Sequence, residues 1–137
     1  MLNPTAAILI IGDEILSGRT RDSNMHYLSC ELTKIGIDLQ EARFIPDNAT
    51  KIIDDVRCLS SKYDYVFTSG GIGPTHDDIT ADCIAAAFET EISIREDAFK
   101  LLENYYSEQN IDFNSARQRM ARIPNGAKLI DLSLIHI

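Results

Sequence analysis

Several large classes of protein are excluded by what this chain lacks. No stretch approaches the roughly 20 apolar residues needed to cross a bilayer. The start, Met1-Leu2-Asn3-Pro4-Thr5, carries no basic flank, so Ala6 to Ile11 is expected as a buried strand rather than a signal peptide. Positive charge is scarce, with 13 Lys and Arg against 21 Asp and Glu, a formal net charge of −8. That balance argues against a nucleic-acid or anionic-membrane binder, which needs a basic face. Any anion bound here must be held by local dipoles, a few cations or a metal ion. Cysteines are few and odd in number, and Cys30, Cys58 and Cys83 have no metal-ligand spacing. Each falls in a predicted helix, so buried or half-buried free thiols in a reducing cytoplasm are expected. Repeats, low-complexity segments and interdomain linkers are missing too. The 137 residues, 45% hydrophobic, are expected to form one domain with a substantial core.

What is present alternates between strand and helix. Ala6-Ala7-Ile8-Leu9-Ile10-Ile11 is a continuous apolar run ended by Gly12, as in a parallel strand covered on both faces. Asp22 or Ser23 can cap a helix running to about Ile35, with Met25, Leu28, Leu32 and Ile35 as its stripe and Gly36 as its stop. A second strand is expected over Ile37 to Ile45, and a helix over Thr50 to Lys62 that buries Ile52, Ile53, Val56 and Leu59. The third strand is Tyr63 to Thr68, with a helix from about Ile79 to Phe88. A helix from Glu96 to about Gln109 shows Phe99, Leu102 and Tyr106 on one face. A shorter one spans Asn114 to Arg122, and Pro124-Asn125-Gly126 leads to a last strand, Ala127 to Ile130. This order implies an α/β fold with a doubly wound, mostly parallel sheet and right-handed crossovers. Ligands of such folds sit at the carboxyl ends of the strands.

The richest segment lies at one of those ends: Val66-Phe67-Thr68-Ser69-Gly70-Gly71-Ile72-Gly73-Pro74-Thr75-His76-Asp77-Asp78-Ile79-Thr80. A strand feeds a glycine turn, then two adjacent carboxylates, then a helix. Glycine can take positive φ and approach a ligand closely. Peptide N–H groups at such a turn attract an anion such as phosphate. The segment is not a P-loop, since no lysine occurs between Lys62 and Lys100. Nor is it a dinucleotide fingerprint, because Pro74 follows Gly73 where a helix-packing glycine would be needed. A plain tight turn also satisfies this local pattern. The pair Asp77-Asp78 argues further, because adjacent carboxylates call for a neutralising cation.

Two more polar stretches end strands. Gly12-Asp13-Glu14-Ile15-Leu16-Ser17-Gly18 follows the first, where Asp13 or Glu14 can touch a ligand, a cation or a ribose hydroxyl, or stay solvated. Asn24 can cap the next helix or bond a ligand. Pro46-Asp47-Asn48 follows the second strand, and Asp47 is either a turn residue or a carboxylate sharing a divalent ion with another loop. His76 has no second histidine at metal spacing, and His26 is expected on an exposed helix face. Arg117, Arg119 and Arg122 form a basic cluster, solvated, paired with acids or reaching a phosphate. Tyr105 and Tyr106 are expected as core or interface aromatics.

Together these residues resemble a known family. Ser69-Gly70-Gly71-Ile72-Gly73-Pro74-Thr75 with Asp77-Asp78-Ile79-Thr80 is similar to the signature loop of the MoaB/Mog molybdopterin-binding domain. Gly12 to Gly18, Asp22-Ser23-Asn24, the stretch Leu28 to Leu39, and Ile72 in place of the usual Thr resemble its CinA-type branch. That branch includes the N-terminal domain of eukaryotic FAD synthase. The resemblance spans about Ala6 to Ile130.

The resemblance implies a three-layer α/β/α domain whose glycine loop holds the phosphate of a pterin or nucleotide. It assigns catalysis to Asp47 and Asp78, with Asp78 also the metal position. Ligand contacts fall on Gly12, Glu14, Asn24, Ser69, Gly70, Gly71, Gly73, Thr75 and Asp77. The activities implied are pyrophosphate cleavage in ADP-ribose or FAD with a divalent metal (Mg, Co or Mn), adenylyl transfer to molybdopterin, or ligand binding alone. Homo-oligomers, dimers or trimers, are common in the family. One departure stands out: the chain ends Asp131-Leu132-Ser133-Leu134-Ile135-His136-Ile137, where the family continues into an Asn-Pro and Gly/Pro-rich segment. A domain that lacks its C-terminal segment, or carries an altered tail, is therefore expected.

Overall fold

A computed structural model describes residues 2–130. Strand β1, Thr5–Ile11, is its centre, and every residue from Ala6 to Ile11 is buried. Helix α1 is a single turn, Asp13–Leu16, followed by α2, Asn24–Lys34. Then come β2, Asp38–Ile45, α3, Ala49–Lys62, and β3, Tyr65–Ser69. The three strands are parallel in the order β2-β1-β3. From β1 the chain moves out to β2 and then crosses back to β3. Right-handed crossovers in opposite directions put α2 and α3 on opposite faces of the sheet, and they open a crevice between the carboxyl ends of β1 and β3. Among the described residues no helix is long and apolar enough to cross a membrane.

The pleat of β1 sends Ala7, Leu9 and Ile11 to one face. There they meet Ile52, Val56 and Leu59, the i, i+4, i+7 stripe of α3, together with Ile45, Cys83 and Ala87. Fully burying each Ile or Leu contributes roughly 1.5–3 kcal/mol. The start of α3 is fixed by Asn48, whose side chain accepts the Lys51 N–H at 3.0 Å. Helix α2 stops at Gly36, which adopts φ 82° while the Ile37 N–H bonds back to the Leu32 carbonyl.

Beyond β3 lie α4, Thr80–Ala87, then β4, Ile92–Ile94, and α5, Glu96–Glu108. They are followed by α6, Ser115–Gln118, a 3-10 turn, Arg119–Ala121, and β5, Arg122–Pro124. Several expectations are corrected here. The last strand is not Ala127 to Ile130 but β5, which pairs antiparallel with β4. Ile130 is 77% exposed, and the run has no ladder partner among the described residues, so it does not make a strand there. Strand β4 went unseen because Ile92-Ser93-Ile94 alternates over only three residues. Ile35 falls past the end of α2 and is exposed, while Leu32 is the buried member of that stripe. Cys30 and Cys58 are exposed rather than buried or half-buried, because their helices turn them away from the sheet; Cys83 alone among the three is buried. His136 and the departing tail lie outside the described residues.

Candidate active site

Loops from the ends of all three parallel strands meet at the crevice. The Gly12 N–H donates to the Ile45 carbonyl at 3.0 Å, tying the loop after β1 to the end of β2. Beyond this tie, Asp13 and Asp47 exchange bonds. The Asp13 N–H donates to Asp47 Oδ2 at 3.0 Å, and the Asp47 N–H to Asp13 Oδ1 at 3.1 Å. Among the described residues no donor takes Asp13 Oδ2 or Asp47 Oδ1. Glu14 folds back over Gly12: a Cβ on that glycine would lie 2.6 Å from Glu14 Oε1. From the start of α2, Asn24 Nδ2 donates to Ser69 Oγ at 2.6 Å, joining the loop before α2 to the end of β3.

The glycine turn is held from beneath. Gly70 has φ 96°, and a Cβ there would sit 2.0 Å from the Ile11 carbonyl oxygen, so this close approach requires glycine. Gly71 has φ 68°, and its added Cβ would sit 2.2 Å from Thr80 Oγ1. Thr80 is buried, its hydroxyl donating to the Gly70 carbonyl at 2.8 Å and its N–H to the Gly71 carbonyl at 3.0 Å. The carbonyls of the turn therefore point inward. No acceptor among the described residues takes the N–H groups of Gly71, Ile72 or Gly73.

Asp78 closes the loop. Its Oδ2 accepts the Thr75 N–H at 2.9 Å and the Thr75 hydroxyl at 2.8 Å, and the Asp78 N–H returns to the Thr75 carbonyl at 3.1 Å. Among the described residues Asp78 Oδ1 has no donor. Arg119 reaches in from the 3-10 turn, with Nη1 donating to the Thr75 carbonyl at 3.0 Å. Arg117 instead stacks over Tyr106, and Arg122 pairs with Asp82 at 2.6 Å. His76 and Asp77 form an exposed pair at 3.3 Å.

Two cavities flank this loop. One, of about 540 Å³, is acidic, lined by Asp13, Glu14, Asp47, Asp77 and Asp78 with Gly71, Thr75 and His76; Arg19 is its one positive side chain. The other, of about 590 Å³, is largely apolar and runs between α4, α5 and the 3-10 turn; it takes in Gly71, Gly73 and Asp78. The expected residues are thus sorted by the fold. Glu14, Asp47, Gly71, Thr75, Asp77 and Asp78 line the acidic cleft. Gly73 faces the apolar side, while Gly12, Gly70, Asn24 and Ser69 brace the loops. Sequence reasoning passed over Arg19, whose only signal was a cation beside a run of acids. It placed Thr80 in the loop motif but gave it no role; the signal was a hydroxyl where the glycine turn enters a helix.

The acids do not converge into a cage. Among the described residues, no three His, Cys, Asp or Glu side chains stand close enough together to hold a metal ion. The oxygen-only donor set fits the weaker arrangement in which a hard divalent ion binds one or two carboxylates and the ligand's own phosphates.

Comparison with known proteins agrees with this architecture. The family model described as "Probable molybdopterin binding domain" matches residues 7–129. A Caenorhabditis elegans protein named "Probable FAD synthase" is 37% identical over 139 residues, covering 92% of this chain and 27% of its own length. A CinA-like protein of a Sulfurihydrogenibium species is 32% identical over 126 residues, covering 92% of this chain and 32% of its own. The solved structure of CinA from Thermoplasma acidophilum, a protein of unknown function, superposes with a TM-score of 0.84 at 30% identity, over 94% of this chain and 75% of that one. The tungsten cofactor synthesizing protein MoaB from Pyrococcus furiosus has a TM-score of 0.58 at 22% identity, over 77% and 64%, a likeness of fold alone. The chain spans less than half the length of these curated relatives. It belongs to the molybdopterin-binding domain family, MoaB/Mog-like in fold and CinA-like in type.

Proposed function

We propose that this domain binds a pterin phosphate or an adenine dinucleotide through the glycine loop and hydrolyses a pyrophosphate bond of the ADP-ribose or FAD type. The observation that carries the reading is the set of N–H groups at Gly71, Ile72 and Gly73 that have no acceptor among the described residues, beside carboxylates with oxygens that have no donor there. Free peptide N–H groups bind phosphate oxygens without a lysine. FAD enters as a candidate because a relative bears the name FAD synthase.

The chemistry a divalent ion would supply, were it bound with the phosphates, is neutralisation of their charge and activation of a water. Asp78 Oδ1 and Asp47 Oδ1 are the oxygens that would hold such an ion. The protein's own part is positional. Thr75 fixes the Asp78 carboxylate, the Asp13 N–H fixes that of Asp47, and Thr80 turns the loop carbonyls away from the ligand. In the reaction a water oxygen attacks phosphorus and the bridging P–O bond breaks. The water's proton passes to a carboxylate and the electron pair leaves on the departing phosphate.

AMP release from ADP-ribose or FAD, with Mg, Co or Mn, tests the reading. Metal-dependent release that Asp78→Asn suppresses about a hundredfold is expected. Binding without product would favour a regulatory ligand-binding domain, a second reading supported by the lack of a three-residue metal group among the described residues. We place the protein in the cytoplasm as a homo-oligomer, dimer or trimer, with a small-molecule ligand and no nucleic-acid or membrane partner. Ultracentrifugation and fractionation check these points.

A further inference from the structure

Helix α2 carries a pair of donor side chains that neither the glycine loop nor the acidic cleft uses. His26 and Cys30 are four residues apart, about one helical turn, so their side chains leave the same face. Cys30 Sγ lies 3.7 Å from His26 Nε2. Both residues are exposed, whereas Leu32 is the buried residue of this helix. The adjacent carboxylate, Glu31, is engaged by Lys34 at 2.8 Å. Among the described residues, thiol and imidazole have only each other as side-chain partners. The other two cysteines lack this setting. Cys58 faces Arg43 Nη2 at 3.6 Å, a fixed positive charge that opposes a cation, and Cys83 is buried.

We propose that His26 and Cys30 chelate a borderline divalent cation of the zinc type through Nε2 and Sγ. Zinc–sulfur and zinc–nitrogen bonds of about 2.3 and 2.05 Å, at the tetrahedral angle, set the two donors about 3.6 Å apart. The observed 3.7 Å separation meets that edge with almost no movement of either side chain. Chelation replaces the thiol–imidazole contact. The thiol proton leaves to solvent as the metal–sulfur bond forms, and the imidazole binds through its Nε2 lone pair. Among the described residues no third His, Cys, Asp or Glu joins the pair, so the two other tetrahedral positions are open to water. Donor chemistry separates this site from the acidic cleft. An oxygen-only set suits a hard ion such as magnesium, whereas thiolate with imidazole selects zinc.

Zinc titration of the full chain carrying Cys58→Ser tests the inference, because Cys30 is then its one exposed thiol. The readout is the rate at which a disulfide-exchange reagent modifies Cys30, since a metal-bound sulfur does not react as a free thiolate. Zinc at about ten times its dissociation constant leaves about a tenth of the sites empty, so the rate should fall about tenfold. Magnesium should leave the rate unchanged. His26→Ala in the same background keeps one donor and should need about a hundredfold more zinc for the same protection. Cobalt gives a second reading: a thiolate-to-cobalt charge-transfer band should form in the Cys58→Ser protein and be missing once Cys30→Ser is added. Both readouts follow sulfur, so metal held by the acidic cleft alone changes neither, and neither depends on turnover or phosphate binding. An unchanged rate with zinc, equal protection in His26→Ala, or a cobalt band that survives Cys30→Ser overturns the inference.

Discussion

Asp13 and Asp47 hold each other: each carboxylate accepts the backbone N–H of the other, at 3.0 and 3.1 Å, across 34 residues of sequence. The exchange fixes the loops after β1 and β2 side by side and leaves Asp13 Oδ2 and Asp47 Oδ1 without a donor among the described residues. Replacing Asp47 by Asn keeps an acceptor for the Asp13 N–H but removes the charge. Replacing it by Ala removes both. Asp47→Asn is therefore expected to keep its stability and lose turnover, whereas Asp47→Ala should lose turnover and about 1 kcal/mol of stability. Urea denaturation beside the AMP-release assay separates the two, and equal stability of both variants would show that the exchange does not hold the loops.

Asp78 has a parallel split between its two oxygens. Oδ2 is occupied by Thr75 and Oδ1 is free among the described residues. In Asp78→Asn the amide oxygen can still accept from Thr75, so ligand affinity should change little while any pyrophosphate cleavage falls about a hundredfold. Thr75→Val removes the hydroxyl donor but keeps the N–H, and should loosen the loop, weakening binding as well. Unchanged turnover in Asp78→Asn would remove this residue from the mechanism.

The glycines of the turn are expected to differ in kind. Gly70→Ala must clear a 2.0 Å approach to the Ile11 carbonyl at φ 96°, a backbone clash with strain added. It should cost roughly 2–4 kcal/mol. Gly71→Val meets Thr80 Oγ1 at 2.2 Å with φ 68°, so it should cost stability as well as binding. Gly73 lies outside the left-handed region of φ, and its Cβ would meet Asp78 Oδ2 at 2.8 Å. Gly73→Ala should therefore keep its melting temperature within a few degrees and lose activity by displacing the carboxylate. A large drop in melting temperature for Gly73→Ala would contradict this ordering.

Away from the site, Glu41 gives a pH prediction. The Tyr63 hydroxyl donates to it at 2.7 Å and Arg43 Nε at 2.6 Å, and they bring its carboxyl from an ordinary 4.5 down to about 2. A carboxylate depressed in the folded state adds its stability in full above the unfolded value and loses it as the pH falls toward the folded one. The stability gap between wild type and Glu41→Gln should thus be open near neutrality and close between about pH 4.5 and pH 2. Urea midpoints measured across that window check it, and a gap that widened on acidification would contradict the assignment.

Thiol chemistry follows burial. Cys30 and Cys58 are exposed, while Cys83 is buried and burial pushes its thiol up. A disulfide-exchange reagent should therefore titrate two thiols in the folded protein and the third only after denaturation. Three fast thiols in the folded state would contradict the packing of α4.

The elements that packing repeats most regularly were legible in the sequence. Ala6 to Ile11 reads as a strand buried on both faces because no polar residue interrupts it. Ile52, Val56 and Leu59 read as one helix face because their spacing matches the helical period. Ser69 to Asp78 read as a tight turn between strand and helix because glycines cluster there in sequence, and the structure has that turn between β3 and α4. The short pair β4 and β5 was not legible, since three-residue strands carry almost no periodicity and exist only through their ladder.

The sequence by itself determined where the chain runs straight, where it coils and where it turns tightly, because those preferences are set within a few residues by sterics and side-chain periodicity. Tertiary structure alone decided that Asp13 faces Asp47, that Thr80 lies under Gly70 and Gly71, and that the glycine loop parts an acidic cleft from an apolar cavity. Each of these depends on the strand order β2-β1-β3, which brings loops distant in sequence to one edge of the sheet. No local preference encodes that order; it comes from burying β1 between two neighbours and covering both faces of the sheet.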